Sequence, residues 1–85
     1  MTESEEQWFQ RFDETKDKFH YFFDDYDFEE EWRKLLAARQ RNDIIEMNSI
    51  MNTVWYELPD TKFNIMNDPP GWSDFLWLLE EYLDM

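Results

Sequence analysis

Apolar residues recur along the first third of the chain at helical spacing. At 100° per residue, Trp8, Phe12, Phe19, Phe22, Phe23 and Tyr26 share one face, which predicts a long helix over residues 4–26. Ser4-Glu5-Glu6-Gln7 has the form of a capping box, and acids in a first turn suit the helix dipole. Almost opposite the apolar stripe, Glu6, Asp13, Asp17 and Asp24 lie within about 20° of a common line. Gln10 and His20 fall near the gaps of this row, and Tyr21 sits beside it.

The same periodicity continues after a short break. Asp27 reads as a new N-cap with Glu30 at N3, restarting a helix over about 28–41 whose buried stripe is Phe28, Trp32, Leu35 and Leu36. Glu29/Arg33 and Glu30/Lys34 are i,i+4 pairs in the favourable order, and Arg39 and Arg41 suit the C-terminal dipole. A third helix is expected over 43–58, capped by Asn42 or Asp43 and stopped by Pro59. Its apolar face is Ile44, Met47, Ile50, Met51, Val54, Trp55 and Leu58, and the other side carries Asn48, Ser49, Asn52 and Thr53. Ile45 and Tyr56 fall off that apolar face.

Residues 59–70 are the one long irregular segment. Asp68 and Pro69 are placed to cap and open a last helix over about 69–84, with Trp72, Phe75, Leu76, Leu79, Tyr82 and Leu83 facing inward. Trp77 falls roughly opposite them, among Asp74, Glu80, Glu81 and Asp84. With one Gly and three Pro the chain has few helix breakers. The expected fold is all-α: one domain over 1–85, a small bundle of about four helices with an irregular loop near 59–70.

Composition sharpens this reading at residues 19–32, where every residue is aromatic or acidic except His20. Rings have a large area to bury, and carboxylates stay in water unless paired. Only a fold with a dry side and a strongly negative wet side satisfies both. In 85 residues, near the lower limit for a self-sufficient core, aromatics make up 20% and so offset the small size.

The net charge of −13, from 21 acids and 8 bases, turns the argument towards partners. Residues 1–31 hold most of it, with twelve acids against three bases. Direct binding to nucleic acid or to an anionic membrane is not expected, because both need basic patches. A basic partner is the natural complement. No apolar run is long enough to span a bilayer, and the acidic N-terminus is the reverse of a secretory leader. The expected location is the cytoplasm, or a host's cytoplasm should the chain be viral.

Catalytic and metal readings find little support. Cysteine is absent, which excludes a thiol nucleophile, a disulfide framework and a Cys-based metal site. Asp17 and His20 have the spacing of one arm of a di-iron site, but no second His exists to complete it. The run from Asp25 superficially follows a calcium loop, yet Glu30 stands where Gly belongs and Leu36 where the final Glu belongs. No phosphate-cradling loop, nucleophile elbow or zinc-protease motif is present. The expectation is a non-enzyme with no cofactor and no metal.

The acidic row therefore carries the functional expectation. Duplex DNA bears one charge per about 1.7 Å of axis, so thirteen charges equal roughly 22 Å of duplex. On a helix, Asp13 and Asp17 lie about 6 Å apart and the next acids of the row about 10 Å away, a spacing of the order of phosphates. Such a protein could occupy a basic, nucleic-acid-binding cleft of another protein and shut nucleic acid out. The competing reading is an acidic face kept merely for solubility. Candidate contact residues are Glu6, Asp13, Asp17, Tyr21, Asp24 and Asp25, with Asp74, Trp77 and Glu81 as a second group around an aromatic anchor. In size and composition the chain resembles the small acidic inhibitors that phages direct against host restriction, CRISPR and DNA-repair systems. That resemblance implies a DNA-mimic inhibitor. Two alternatives stand beside it: a small adaptor or assembly subunit docking through helix 43–58, and an antitoxin or immunity protein covering a basic nuclease.

Overall fold

The structure, a computed structural model, describes residues 3–57 and 71–84. Four helices make up nearly all of them: α1 (Glu3–Asp25), α2 (Glu29–Gln40), α3 (Ile44–Glu57) and α4 (Trp72–Leu83). α1 packs mainly on α4 and α2 on α3, with further contacts between α1 and α2 and between α3 and α4. Each helix runs antiparallel to its neighbour: His20 meets Trp32 while Arg39 meets Asp13, and Gly71 abuts Lys18 while Trp8 meets Leu78. The expected four-helix all-α bundle is what forms.

α1 supplies the centre of the core. Trp8, Phe12, Phe19, Phe22 and Phe23 are all buried, as the periodicity predicts, and Phe19 touches Phe12, Phe22, Phe23, Trp32 and Phe75 at 5.7–6.3 Å between ring centroids. Most of these ring pairs are tilted or edge-on, the arrangement their quadrupoles favour. The Trp8 indole N–H, at the far end of the stripe, donates to the Leu78 carbonyl at 2.7 Å. That bond satisfies a buried donor and ties the two ends of the chain together.

Both described turns between helices are built alike. Asp27 adopts a left-handed conformation (φ 66°), its N–H bonds the Asp24 carbonyl at 3.2 Å, and the Phe28 N–H reaches back to Phe23 at 2.7 Å. This is a Schellman motif, completed by the Phe23–Phe28 ring contact. Asn42 (φ 55°) and Asp43 repeat it, bonding Arg39 and Ala38 at 3.0 Å. In each turn the residue after the left-handed one opens the next helix. Asp43 thus caps α3, accepting the Glu46 N–H at 3.1 Å. At the first turn that place falls to Phe28, with no side-chain cap. The expected N-cap, Asp27, is therefore the terminator of α1 instead, because closing the Schellman bonds takes one residue more than the pattern allowed. At the start of the chain Ser4 lies inside α1 rather than before it.

α4 also departs from expectation. It begins at Trp72 rather than at 69, with Gly71 as N-cap at φ 79°. A Cβ on Gly71 would come within 2.5 Å of the Lys18 and Phe19 backbone, so the only glycine in the chain permits close approach of α4 to α1. Asp68 and Pro69, with the loop expected over 59–70 and the final residue Leu58 of the third stripe, lie outside the described residues. The buried line of α4 is Trp72, Phe75, Leu78 and Leu79, while Leu76 and Tyr82 are half-buried. Leu83, expected inward, is 78% exposed. The aromatic stripe of α1 ends at Trp8, level with Leu78, and so stops short of it. Phe9, Ala38 and Leu78 join the core without having been expected there.

Two substitutions test these backbone assignments. Asp27→Gly should raise stability by up to about 1 kcal/mol, since glycine adopts the left-handed conformation without strain. Gly71→Ala should lower it by about 2 kcal/mol or more, through strain and collision with the α1 backbone. Denaturant unfolding reads both.

Candidate partner-binding surface

Acids on α1 project outward from the bundle because its rings project inward. Glu6, Asp13, Asp17 and Asp24 are all exposed, as is Asp25. Tyr21 is 67% exposed and lines a shallow groove with Asp17, His20 and Asp24. The row foreseen on the helix face is thus present as geometry, but its charges are not equivalent.

Arginines divide it. Arg39 of α2 binds Asp13 with two parallel bonds, Nε to Oδ1 at 3.0 Å and Nη2 to Oδ2 at 2.8 Å. The hydrogen bond to Asp13, with its charge, raises the Arg39 pKa above its ordinary value despite partial burial. The same guanidinium lies 4.5 Å over the Phe9 ring and reaches Asn42. Arg11 repeats the device on the other flank of α1. It pairs with Asp74 of α4 at 2.5 Å and sits 5.6 Å over Trp77. Each arginine therefore covers an aromatic ring at the rim of the core and clasps a carboxylate across a helix interface. Two of the candidate contact residues, Asp13 and Asp74, have their charge compensated inside the fold.

Trp77 is 37% exposed and borders a groove lined by Gln7, Gln10, Arg11 and Glu14. The place over its ring that a partner's arginine could fill is held by Arg11. The residue order also allows Phe63 or Met66 of the 59–70 loop to fold over Trp77, and both lie outside the described residues. Glu81 is half-buried, on the same face of α4 as Asp74 but two turns, about 10 Å, further along, and it makes no ion pair with a described residue.

His20 stacks flat on Trp32, with centroids 4.2 Å apart and planes 10° from parallel, and its Nε2 lies 3.3 Å from Glu29 Oε2. It bridges α1 to α2 rather than standing free beside Asp24. Glu30 pairs loosely with Lys34 at 3.7 Å, while Glu29 turns to His20 and leaves the expected pairing with Arg33.

One group of acids without an ion pair lies towards the α1–α2 turn. Asp17, Asp24, Asp25, Asp27 and Glu31 make no ion pair with any described residue. Asp24, Asp25 and Asp27 also stand at the C-terminal end of α1, whose last turn has no basic residue. There the helix dipole repels each of them, at a cost of about 0.3–1 kcal/mol per charge at low salt. Asp27 adds the strain of a left-handed non-glycine residue. Local stability opposes these three acids at that end.

A second surface has the opposite character. Ile45 and Tyr56, which fell off the predicted apolar face of the third helix, are 70% and 81% exposed on α3. Ile45 and Leu83 border one groove with Ile44 and Tyr82, and Tyr56 and Leu83 border another with Trp55, Leu76 and Leu79. Among the described residues no group of three or more His, Asp or Glu is placed to hold a metal ion, and no helix is long and apolar enough to cross a membrane.

The clasp assignment predicts a measurable coupling. A double-mutant cycle on Asp13→Ala and Arg39→Ala should give about 0.5–1 kcal/mol at low ionic strength, shrinking with salt because both groups are partly exposed. The same cycle on Asp17 and Arg39 should give none.

Compared with known proteins, the chain matches no family model, no curated protein and no solved structure.

Proposed function

We propose that the protein is a non-enzymatic acidic binding protein that occupies a basic, nucleic-acid-binding cleft on a partner protein. The observation behind this reading is the uncompensated corner of Asp17, Asp24, Asp25, Asp27 and Glu31. Three of its acids stand at a helix end that disfavours them, as Glu80 and Glu81 do in the last turn of α4. Locally unfavourable groups concentrate where function retains them. Solubility alone does not require the strain that Asp27 adds there as a left-handed non-glycine residue. Long-range attraction would speed encounter with a cationic groove, and Tyr21, exposed beside Asp17 and Asp24, offers a ring for a partner's arginine. Anti-restriction or anti-CRISPR inhibition, and the covering of a basic nuclease by an immunity protein, are forms of the same mechanism.

The second reading, an adaptor or assembly subunit, draws on the exposure of Ile45 and Tyr56 along an uncharged side of α3. The two readings predict opposite mutational maps.

A variant carrying Asp24→Asn, Asp25→Asn and Asp27→Asn should be more stable than the natural chain by about 1 kcal/mol or more, since each change relieves the dipole. It should at the same time lose, by tenfold or more, the proteins that immobilised natural chain retains from host lysate and releases on a salt gradient. Asp74→Asn should leave that retention intact. Retention unchanged in the triple variant and abolished by Ile45→Ala with Tyr56→Ala would overturn the proposal in favour of the adaptor.

A further inference from the structure

The two grooves between α3 and α4 form one seam. Leu83 borders both: the first, of about 400 Å³, runs past Ile45 and Tyr82, and the second, of about 320 Å³, past Tyr56 and Leu76. Among the described residues five large hydrophobic side chains stand exposed, and three of them, Ile45, Tyr56 and Leu83, line this seam. From Ile45 to Tyr56 it is about 16 Å long. Asn48, one turn of α3 from Ile45 and one from Asn52, stands between the two grooves. It is 8% exposed, and its side-chain carbonyl is buried with no hydrogen-bond partner among the described residues. An acceptor left unpaired in this way is costly, and a donor arriving at the seam relieves it.

The rim of the seam is negative. Neither α3 nor α4 carries a Lys, Arg or His. α3 has Glu46 in its first turn and ends on Glu57, while α4 has Glu80 in its last turn and Asp84 as its C-cap. None of these four acids makes an ion pair with a described residue. Because the helices run antiparallel, Glu57 stands at one end of the seam, Glu46 and Asp84 at the other, and Glu80 on the edge between. The carbonyl ends of the two helices add their own partial negative charge at opposite ends. An apolar floor inside such a rim repels fatty acids and other anions, and it repels a second copy that would bring the same glutamates with it.

We propose that the α3–α4 seam receives a basic amphipathic helix of a partner protein. Such a helix lays apolar side chains at i, i+4 and i+7 into a groove and carries Lys or Arg on its flanks. Here the apolar anchors would seat around Leu83, and the flanking cations would meet Glu57, Glu80 and Asp84. About three turns of helix fill the seam, so the contact is small and belongs to the weak, transient class. The proposal uses none of the acids at the α1–α2 corner, and it therefore stands or falls apart from the cleft-binding reading.

Calorimetry and backbone NMR shifts on the full chain test it, with a synthetic helical peptide of leucine and lysine as the probe. The leucines lie on one face, and a scrambled peptide of the same composition is the control. The patterned peptide should shift the amides around Ile45, Tyr56 and Leu83 and bind about tenfold more tightly than the scrambled one. Ile45→Ser with Leu83→Ser, both at exposed positions, should leave melting unchanged and weaken binding by about tenfold. Glu57→Gln with Glu80→Gln should weaken it several-fold and flatten its decline with salt. Asp24→Asn with Asp25→Asn should change it little. Shifts confined to residues 17–27 would mean that the acidic corner alone attracts the probe, which overturns the proposal and leaves the cleft-binding reading in place. Equal binding of the scrambled peptide, or indifference to the Ile45 and Leu83 changes, overturns it too. So does a chain that takes up no peptide. Concentration-dependent dimerisation would then assign the seam to a second copy, and nuclear Overhauser contacts from Phe63 or Met66 to Leu83 would assign it to the chain's own residues 58–70.

Discussion

Burial of the ring stripe on α1 is the constraint from which the rest of this bundle follows. Trp8, Phe12, Phe19, Phe22 and Phe23 each remove a large apolar area from water, and burying one such side chain is worth about 1.5–3 kcal/mol. A chain this short has few other means of offsetting its own electrostatic repulsion. α4 closes on the stripe from one side, through Phe75 and Trp72, and α2 from another, through Trp32. Gly71 lets the first of these approaches come to backbone contact. Because the rings claim one side of α1, Glu6, Asp13, Glu14, Asp17, Asp24 and Asp25 are directed outward.

Basic residues are scarce, and where they are placed decides the shape of the negative field. Arg11 and Arg39 both lie over rings at the edge of the core and grip an acid on another helix or across to α1. Each guanidinium lies over a ring while its outer nitrogens hold a carboxylate, which a lysine does less well, although Arg11 Nε is buried with no hydrogen-bond partner among the described residues. The consequence is local neutralisation at Asp13 and Asp74. Negative charge is left unanswered at the α1–α2 corner, where His20 and Lys34 meet only Glu29 and Glu30, and at the end of α4, where Glu80, Glu81 and Asp84 make no ion pair with a described residue.

Much of the bundle is legible from residue order alone. The 3.6-residue recurrence of large apolar groups identifies all four helices and most of the core, because a helix of this composition has only one way to put its rings out of water. The uneven charge and the exposure of Ile45, Tyr56 and Tyr21 are equally plain from their angles on a helical wheel. What the periodicity does not carry is the length of a turn. The Schellman closures at Asp27 and Asn42 shift each helix start by a residue, since backbone hydrogen bonds and a left-handed φ set them rather than hydrophobicity.

Tertiary structure alone settled which acids stand uncompensated. Asp13 and Asp17 look interchangeable on the helix face, yet one meets an arginine twenty-six residues away and the other meets none among the described residues. Phe9 likewise enters the core between Trp8 and the guanidinium of Arg39 from α2, while Leu83, beyond the level of Trp8, stays exposed. Periodicity specifies the direction in which a side chain leaves its own helix, and that much residue order determines. Whether it meets an opposite charge, a ring or water depends on the register of the neighbouring helix, which comes into being only when the bundle closes.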